Sequence, residues 1–346
     1  MTPGSSSGAG ARLRALKPKS VSMARDSLVR SEPLTPGFGL VMEPAVADLS
    51  LPAWAAANRD FIDSALRQQG ALLMRGFGLK SPLEFREFAE AASTGLLDYS
   101  ERAAARREVS SKVFTSTEYP AGAIIPLHHE MSYSHNWPAK IFFYCSVPPA
   151  SGGRTPIADD RRIFDLIPER TRERFMRNQV MYVRNYGAGV DLRWQEAFQT
   201  EDRAVVEAYC RNSGADFSWL EGDRLRTRQV RQAVVTVPGT TTTVWFNHAH
   251  LFHHSSLAPD VAQSLLSAFH EEDLPRNVFY GDGSPIESAV LDEIREIYER
   301  EAVRFEWRQG DVLLLDNILV SHGRESFTPP REMLVIMAEL FTNPSV

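Results

Sequence analysis

The stretch Ile125–Tyr133 reads IPLHHEMSY and sets two histidines directly before a glutamate. Three readings compete for it: a helical metal box, a chance cluster in a polar loop, and half of an iron site. In a β-strand, residues i and i+2 project to the same face. His128 and Glu130 then point together, and His129 points away. Met131, the i+2 neighbour of His129, cannot serve a hard metal. A zinc-protease helix would place a second histidine three residues after the glutamate. Tyr133 stands there instead. The useful pair is therefore His128 with Glu130.

A facial triad for non-haem Fe(II) needs one more histidine, which can come from far along the chain. The block GDVLLLDNILVSHGRESFTPPREMLVIM supplies His322, which ends an apolar run and precedes a glycine. Arg331 opens the next apolar strand, and an antiparallel pairing would bring it back toward His322. A guanidinium there has a use. A 2-oxoglutarate cosubstrate chelates iron through its keto and C1 carboxylate groups, and its far carboxylate lies buried and needs a partner. Arginine supplies a permanently charged, two-pronged one.

The rest of the chain fits a β-rich domain. AWAAANRDFIDSALRQQG has helical spacing and stops at Gly70; ALLMRGF reads as a short buried strand. SPLEFREFAEAAS opens with the Ser-Pro of a helix start. RRIFDLIPERTRERFMRN reads as helix interrupted at Pro168, and EDRAVVEAYCRNSG as helix ending at Gly214. QAVVTVPGTTTTVWFN looks like a hairpin joined at Pro-Gly. Two amphipathic helices follow, and the end is again β: VRFEWRQGDVLLLDN, ILVSH and REMLVIMAELF. No internal repeat is visible. This order lacks the steady βαβ alternation of a doubly wound sheet. It predicts a mainly β (α+β) fold with helical insertions on a double-stranded β-helix, a cupin-like jelly roll.

Bulk composition sets outer limits. The net charge of −6 gives no reason to expect nucleic-acid binding. No apolar run reaches the roughly 18 residues of a membrane span. Two cysteines form no disulfide framework, which suits a reducing, cytoplasmic setting. Residues 1–34 are rich in Ser, Gly and basic side chains and read as a disordered tail. Residues 35–346 read as one domain, with helical inserts around 160–230 and 255–300.

Three stretches, IPLHHEMSY, FFYCSVPPASGGRTPIAD and GDVLLLDNILVSHGRESFTPPR, together resemble the taurine catabolism dioxygenase (TauD/TfdA) family. The likeness is nearest to its syringomycin-biosynthesis hydroxylase-like branch and covers roughly Ala71 to the C-terminus. It implies an enzyme using Fe(II), 2-oxoglutarate and O2, with His128, Glu130 and His322 on the metal. The threonine of Gly-Gly-x-Thr, Thr155, and the arginine after the distal histidine, Arg331, would bind 2-oxoglutarate. Many relatives carry two basic residues at that point; here Glu332 follows Arg331. Arg324 is a weaker second candidate. Related halogenases replace the carboxylate ligand by Ala or Gly, so Glu130 implies hydroxylation.

Members of that branch oxidise amino acids, sometimes tethered to a carrier protein, in specialised (antibiotic) metabolism. An amino-acid-like small-molecule substrate is the expectation, with carrier delivery possible in this branch. A small sulfonate or aryloxy acid is the alternative, as is a non-catalytic metal-binding jelly roll. The rival metal motif is FNHAHLFHH, with His248, His250, His253 and His254 but no acid nearby. Its residues are read instead as lining the pocket or packing near the barrel mouth, with Asn247 and His250 as substrate contacts. Glu118 and Tyr119 either face the substrate or form a turn at Pro120. Asn317 either makes a structural hydrogen bond or touches substrate, and His135 and His270 read as surface residues.

Overall fold

The computed structural model describes residues 28–98, 107–116, 119–187 and 192–343. Its spine is the antiparallel pairing of Asn136–Val147 with Glu332–Thr342 on one side and Val312–Asp316 on the other. These strands centre an eight-stranded sheet. Its order is Val29–Thr35, Phe38–Pro44, Ala71–Met74, Val312–Asp316, Asn136–Val147, Glu332–Thr342, Val113–Thr115, Glu108–Ser110.

The apolar runs of these strands follow from burial on both faces. Phe142, Tyr144, Leu314, Leu334 and Ile336 pack against helices Leu51–Ala57, Arg59–Gln69 and Pro82–Ala91. Their alternates Ile141, Phe143, Cys145, Leu313, Leu315 and Met337 face inward. There they meet Ile157, Val320, Val235 and Val244 from smaller sheets opposite. One of these has the order Ile125–His128, Val320–Arg324, Ile157–Asp159; another is the hairpin Val234–Thr236 with Thr243–Trp245. The result is the mainly β, cupin-like jelly roll with added helices.

Local chemistry explains the helix boundaries. The Ser81 hydroxyl accepts from the Glu84 N–H, and Pro82 takes the first turn, where no N–H is needed. Gly70 ends Arg59–Gln69 at φ +74°, a conformation costly for a residue with a Cβ. The single helix expected before it is split at Asn58, whose amide donates to the Trp54 carbonyl and closes the first piece.

Four further expectations need correction. Strand Val29–Thr35 begins within the stretch assigned to the N-terminal tail, and residues 1–27 lie outside the described residues. VRFEWRQGDVLLLDN yields a strand only at Val312–Asp316. The insert around 160–230 is not simply helical. Its three strands join Arg276–Tyr280 of the second insert in a four-stranded sheet ordered Asp216–Leu220, Arg224–Arg231, Val180–Tyr186, Arg276–Tyr280. Arginines hide the strand Arg224–Arg231 from an apolar-pattern reading, although its burial alternates residue by residue.

The strand bearing His322 and the strand that Arg331 precedes also do not pair. Val320–Arg324 lies in a small sheet, whereas Glu332–Thr342 crosses to the large one. Successive strands of a jelly roll alternate between its two sheets, so sequence neighbours face each other across the core. Among the described residues, no helix is long and apolar enough to cross a membrane.

Candidate metal centre

Val320–Arg324 is the middle strand of its small sheet, and its His322 is paired directly opposite His128 of Ile125–His128. Their ring centroids are 4.6 Å apart. Glu130 lies beyond the end of that strand, in a turn where Met131 has φ +61°. The i, i+2 strand argument thus stops at His128. What places Glu130 is Asn317, whose carboxamide accepts from the Glu130 N–H at 2.8 Å and donates to its carbonyl at 3.0 Å. Ligand atoms of His128, Glu130 and His322 all lie within 4.8 Å of one another.

This donor set fits iron. Two imidazoles and one carboxylate gathered on one side leave open positions, as a non-haem Fe(II) site requires. His128 Nδ1 lies 2.8 Å from the Pro126 carbonyl. A carbonyl only accepts, so Nδ1 carries the hydrogen and Nε2 keeps the lone pair a metal needs. It is the one cluster of at least three such side chains with this geometry among the described residues.

His129 points away, as the alternation predicts, but it is fully buried in a polar network. Its Nδ1 lies 2.6 Å from the Asn317 carbonyl. Its Nε2 lies 3.1 Å from the Trp245 carbonyl and 3.3 Å from an Asp160 oxygen. Every partner is an acceptor, which favours a doubly protonated ring balanced by the carboxylate. Burial alone would lower its pKa; the charge of Asp160 and these hydrogen bonds outweigh it and hold the pKa above its ordinary value.

The Gly-Gly-x-Thr segment meets Arg331 across the core. Arg331 Nε donates to the Gly153 carbonyl at 3.2 Å, and its guanidinium sits 5.3 Å from the centre of the Phe327 ring. Gly153 has φ +66°, and a Cβ there would lie 3.1 Å from Arg331 Cδ and 2.9 Å from Phe327 Cβ. Glycine is therefore required for this approach. Burial, with Arg324 nearby, pushes the Arg331 pKa down to about 10. Thr155 is buried, and its hydroxyl accepts from the Trp307 indole N–H at 3.0 Å. Arg331 and Phe327 also line a cavity of about 650 Å³. Arg324 sits over the same Phe327 ring, 5.1 Å from its centre, and donates to the carbonyls of Tyr119, Pro120 and Ala123.

The histidine-rich segment divides sharply. Asn247 is fully buried, donating to the Ala233 carbonyl and accepting from the Ala249 N–H. His250 Nε2 faces the Leu127 carbonyl at 2.8 Å, and its ring stacks on Tyr298. Both of these residues, expected as substrate contacts, are tied by hydrogen bonds into the fold. His248 approaches the metal ligands instead, with its ring centroid 5.6 Å from that of His128. Tyr133 and Phe252 flank it, and its backbone N–H donates to the Tyr182 hydroxyl. Its Nδ1 lies 2.5 Å from Ser132 Oγ. Glu118 lies outside the described residues, and Tyr119 is exposed.

The model of the taurine catabolism dioxygenase TauD, TfdA family matches residues 30–337. The chain belongs to the TauD/TfdA family. It is accordingly a non-haem dioxygenase that uses Fe(II), 2-oxoglutarate and O2. A dapdiamide synthesis protein, DdaC of Enterobacter agglomerans, is 41% identical over 80% of this chain and 84% of its own length. A clavaminate synthase-like protein of Arabidopsis thaliana is 30% identical over 87% of this chain and 94% of its own. Among solved structures, PvcB of Pseudomonas aeruginosa aligns with a TM-score of 0.58 at 16% identity. That alignment covers 93% of this chain and 97% of PvcB, and at such identity it speaks for the fold alone.

The sequence groups His248 with three other histidines as lining the pocket or packing near its mouth and does not single it out. With His248, two further side chains of this TauD/TfdA dioxygenase take their places only through the fold. Asp160 stood in a polar run with nothing to tie it to His129. Trp307 lies in a segment expected to be strand, far in sequence from Thr155. No local pattern exposes these three; they arise from contacts across the core.

Proposed function

We propose that this dioxygenase oxidises an unactivated C–H bond of an amino acid or amino-acid-derived substrate, in specialised-metabolite biosynthesis, with His128, Glu130 and His322 as the iron ligands. The observation that carries this reading is the convergence of those three ligand atoms within 4.8 Å. The likeness to a dapdiamide synthesis protein supports the biosynthetic setting. Bound there, Fe(II) with 2-oxoglutarate and O2 supplies C–H oxidation coupled to formation of succinate and CO2.

The chain's own residues do the rest. Glu130 fills the carboxylate position, which favours hydroxylation over halogenation. Arg331 pairs with the distal carboxylate of 2-oxoglutarate, and burial strengthens that pairing by excluding water. Thr155 accepts from Trp307 and keeps its own hydroxyl hydrogen to donate to the same carboxylate. His248 orients the substrate from beside His128, with Tyr133 and Phe252 as an apolar wall.

The test begins without oxygen. Fe(II) plus 2-oxoglutarate should give a visible charge-transfer band with the wild-type protein and none with His128→Ala. Oxygen is then added with a panel of free amino acids, carrier-loaded aminoacyl groups, taurine and aryloxyacetates, and succinate is measured. Stimulation by free or carrier-loaded amino acids supports the proposal and shows the mode of delivery. Stimulation confined to taurine or aryloxyacetates would replace the substrate class. Neither band nor succinate would leave a metal-binding jelly roll without this chemistry.

A further inference from the structure

We propose that the buried pair His129–Asp160 is the positioning element that sets the spacing of the iron ligands and keeps the His129 ring off the metal. This inference rests on the ligand assignment proposed above.

The argument is one of connectivity. His129 is the chain neighbour of both His128 and Glu130. Its ring is pinned by the Asn317 carbonyl at 2.6 Å, the Trp245 carbonyl at 3.1 Å and Asp160 Oδ1 at 3.3 Å. The other oxygen of Asp160 accepts from the Ser321 N–H at 2.7 Å. Ser321 is the chain neighbour of His322. Each of the three ligands is thus one peptide unit from a residue in the tether. The path from one ligand segment to the other runs through two side chains and no solvent, since His129, Asp160 and Ser321 are each 0% exposed.

Asp160 itself is well anchored. It opens helix Asp160–Leu166, capped by the side chain of Asp159, and its Oδ1 accepts from the Tyr298 hydroxyl at 2.6 Å. The arrangement also answers a chemical problem. A second imidazole beside His128 is a competing donor for any metal. With both of its nitrogens facing acceptors at 2.6–3.3 Å, the His129 ring is held on the opposite side of the backbone. Partners that orient metal ligands from behind typically change metal affinity by about 10–100-fold when removed.

The experiment uses Co(II) as an air-stable probe of the site, together with anaerobic Fe(II) and 2-oxoglutarate. Asp160→Asn and His129→Gln should remain folded, bind Co(II) about 10–100-fold more weakly, and shift both the cobalt bands and the iron charge-transfer band. The double variant should lose no more than the worse single one, because the two residues act as a unit. Asn185→Ala provides the comparison. That amide, on strand Val180–Tyr186 of the four-stranded sheet, donates to the carbonyls of Glu272 and Leu274 and touches none of the tether residues. It should lower the melting temperature and leave Co(II) affinity and spectra unchanged.

A folded Asp160→Asn with wild-type affinity and spectra overturns the proposal. So does a loss no different in kind from that of Asn185→Ala. Should neither pair variant accumulate folded, Tyr298→Phe carries the test. It removes one donor to Asp160 and should weaken Co(II) binding about threefold; unchanged affinity there also overturns the proposal. Failure of the ligand assignment looks different. His128→Ala would then bind Co(II) as wild type does, and the positioning role would fall with it.

Discussion

The carboxamide of Asn317 holds both backbone polar groups of Glu130, accepting from its N–H at 2.8 Å and donating to its carbonyl at 3.0 Å. The same amide nitrogen donates to the Pro138 carbonyl at 2.9 Å. A turn with no strand partner is thereby fixed as firmly as a strand. Asn317→Ala should leave these buried groups unpaired, at about 1–3 kcal/mol each and not fully additive. We expect a lower melting temperature and weaker Fe(II) binding. Asn317→Asp keeps the acceptor, loses the donors, and should fall between. Thermal denaturation and metal titration on the same preparations check the order.

Arg331→Ala should raise the KM for 2-oxoglutarate at least about tenfold while changing kcat much less, because it removes uniform binding of the cosubstrate. Thr155→Val should act in the same direction and more weakly, and it strands the Trp307 N–H. Steady-state kinetics with varied 2-oxoglutarate provides the measurement. An unaltered KM in Arg331→Ala would remove that residue as the anchor.

His248→Ala should spare the anaerobic Fe(II)–2-oxoglutarate band yet reduce the extra succinate formed when substrate is added. Uncoupled turnover should become a larger share of the total. Ser132→Ala should do the same more mildly, since Ser132 Oγ contacts His248 Nδ1. If the band itself vanished in His248→Ala, the residue would belong with the metal ligands instead.

Acid should destabilise the metal-free protein. Burial pushes the His250 pKa down to about 4, and burial together with His254 does the same to His253. In the unfolded chain a histidine titrates near 6.5. Between those values the unfolded chain takes up protons that the native state refuses, so stability is lost as pH falls from about 6.5 toward 4. Each group contributes at most on the order of 1.4 kcal/mol per pH unit in that window. His129, with its raised pKa, acts in the opposite sense: its contribution is complete below about 6.5 and fades as pH rises through its folded value. Melting curves of apo wild type and His250→Gln should diverge least at low pH, and parallel curves from 6.5 to 4.5 would contradict the assignment.

The cluster of His128, Glu130 and His322 and the jelly roll are legible because both leave local marks. His128 and Glu130 lie two apart, His322 follows an apolar strand, and the central strands are apolar on both faces. Glu130 reached its place by a route the strand rule did not contain, since its turn is held by a side chain 187 residues away. The four-stranded sheet was hidden because arginine supplies much of strand Arg224–Arg231. The hydrogen bonds of Asn247 to the Ala233 carbonyl and of His250 to the Leu127 carbonyl, 14 and 123 residues away, leave no mark in the sequence, because polarity there does not show whether a group is already bonded inside.

The Tyr182 hydroxyl that receives the His248 N–H comes from the four-stranded insert, whereas the ligand triad stands on the jelly roll. If His248 orients the substrate as proposed, remodelling the insert would redirect which molecule is brought to the iron site without moving His128, Glu130 or His322. The two layers share a buried seam, Tyr182 and Tyr280 of the insert packing with Leu127, Ala158 and Trp245 of the jelly roll, so either can vary only as far as that seam allows.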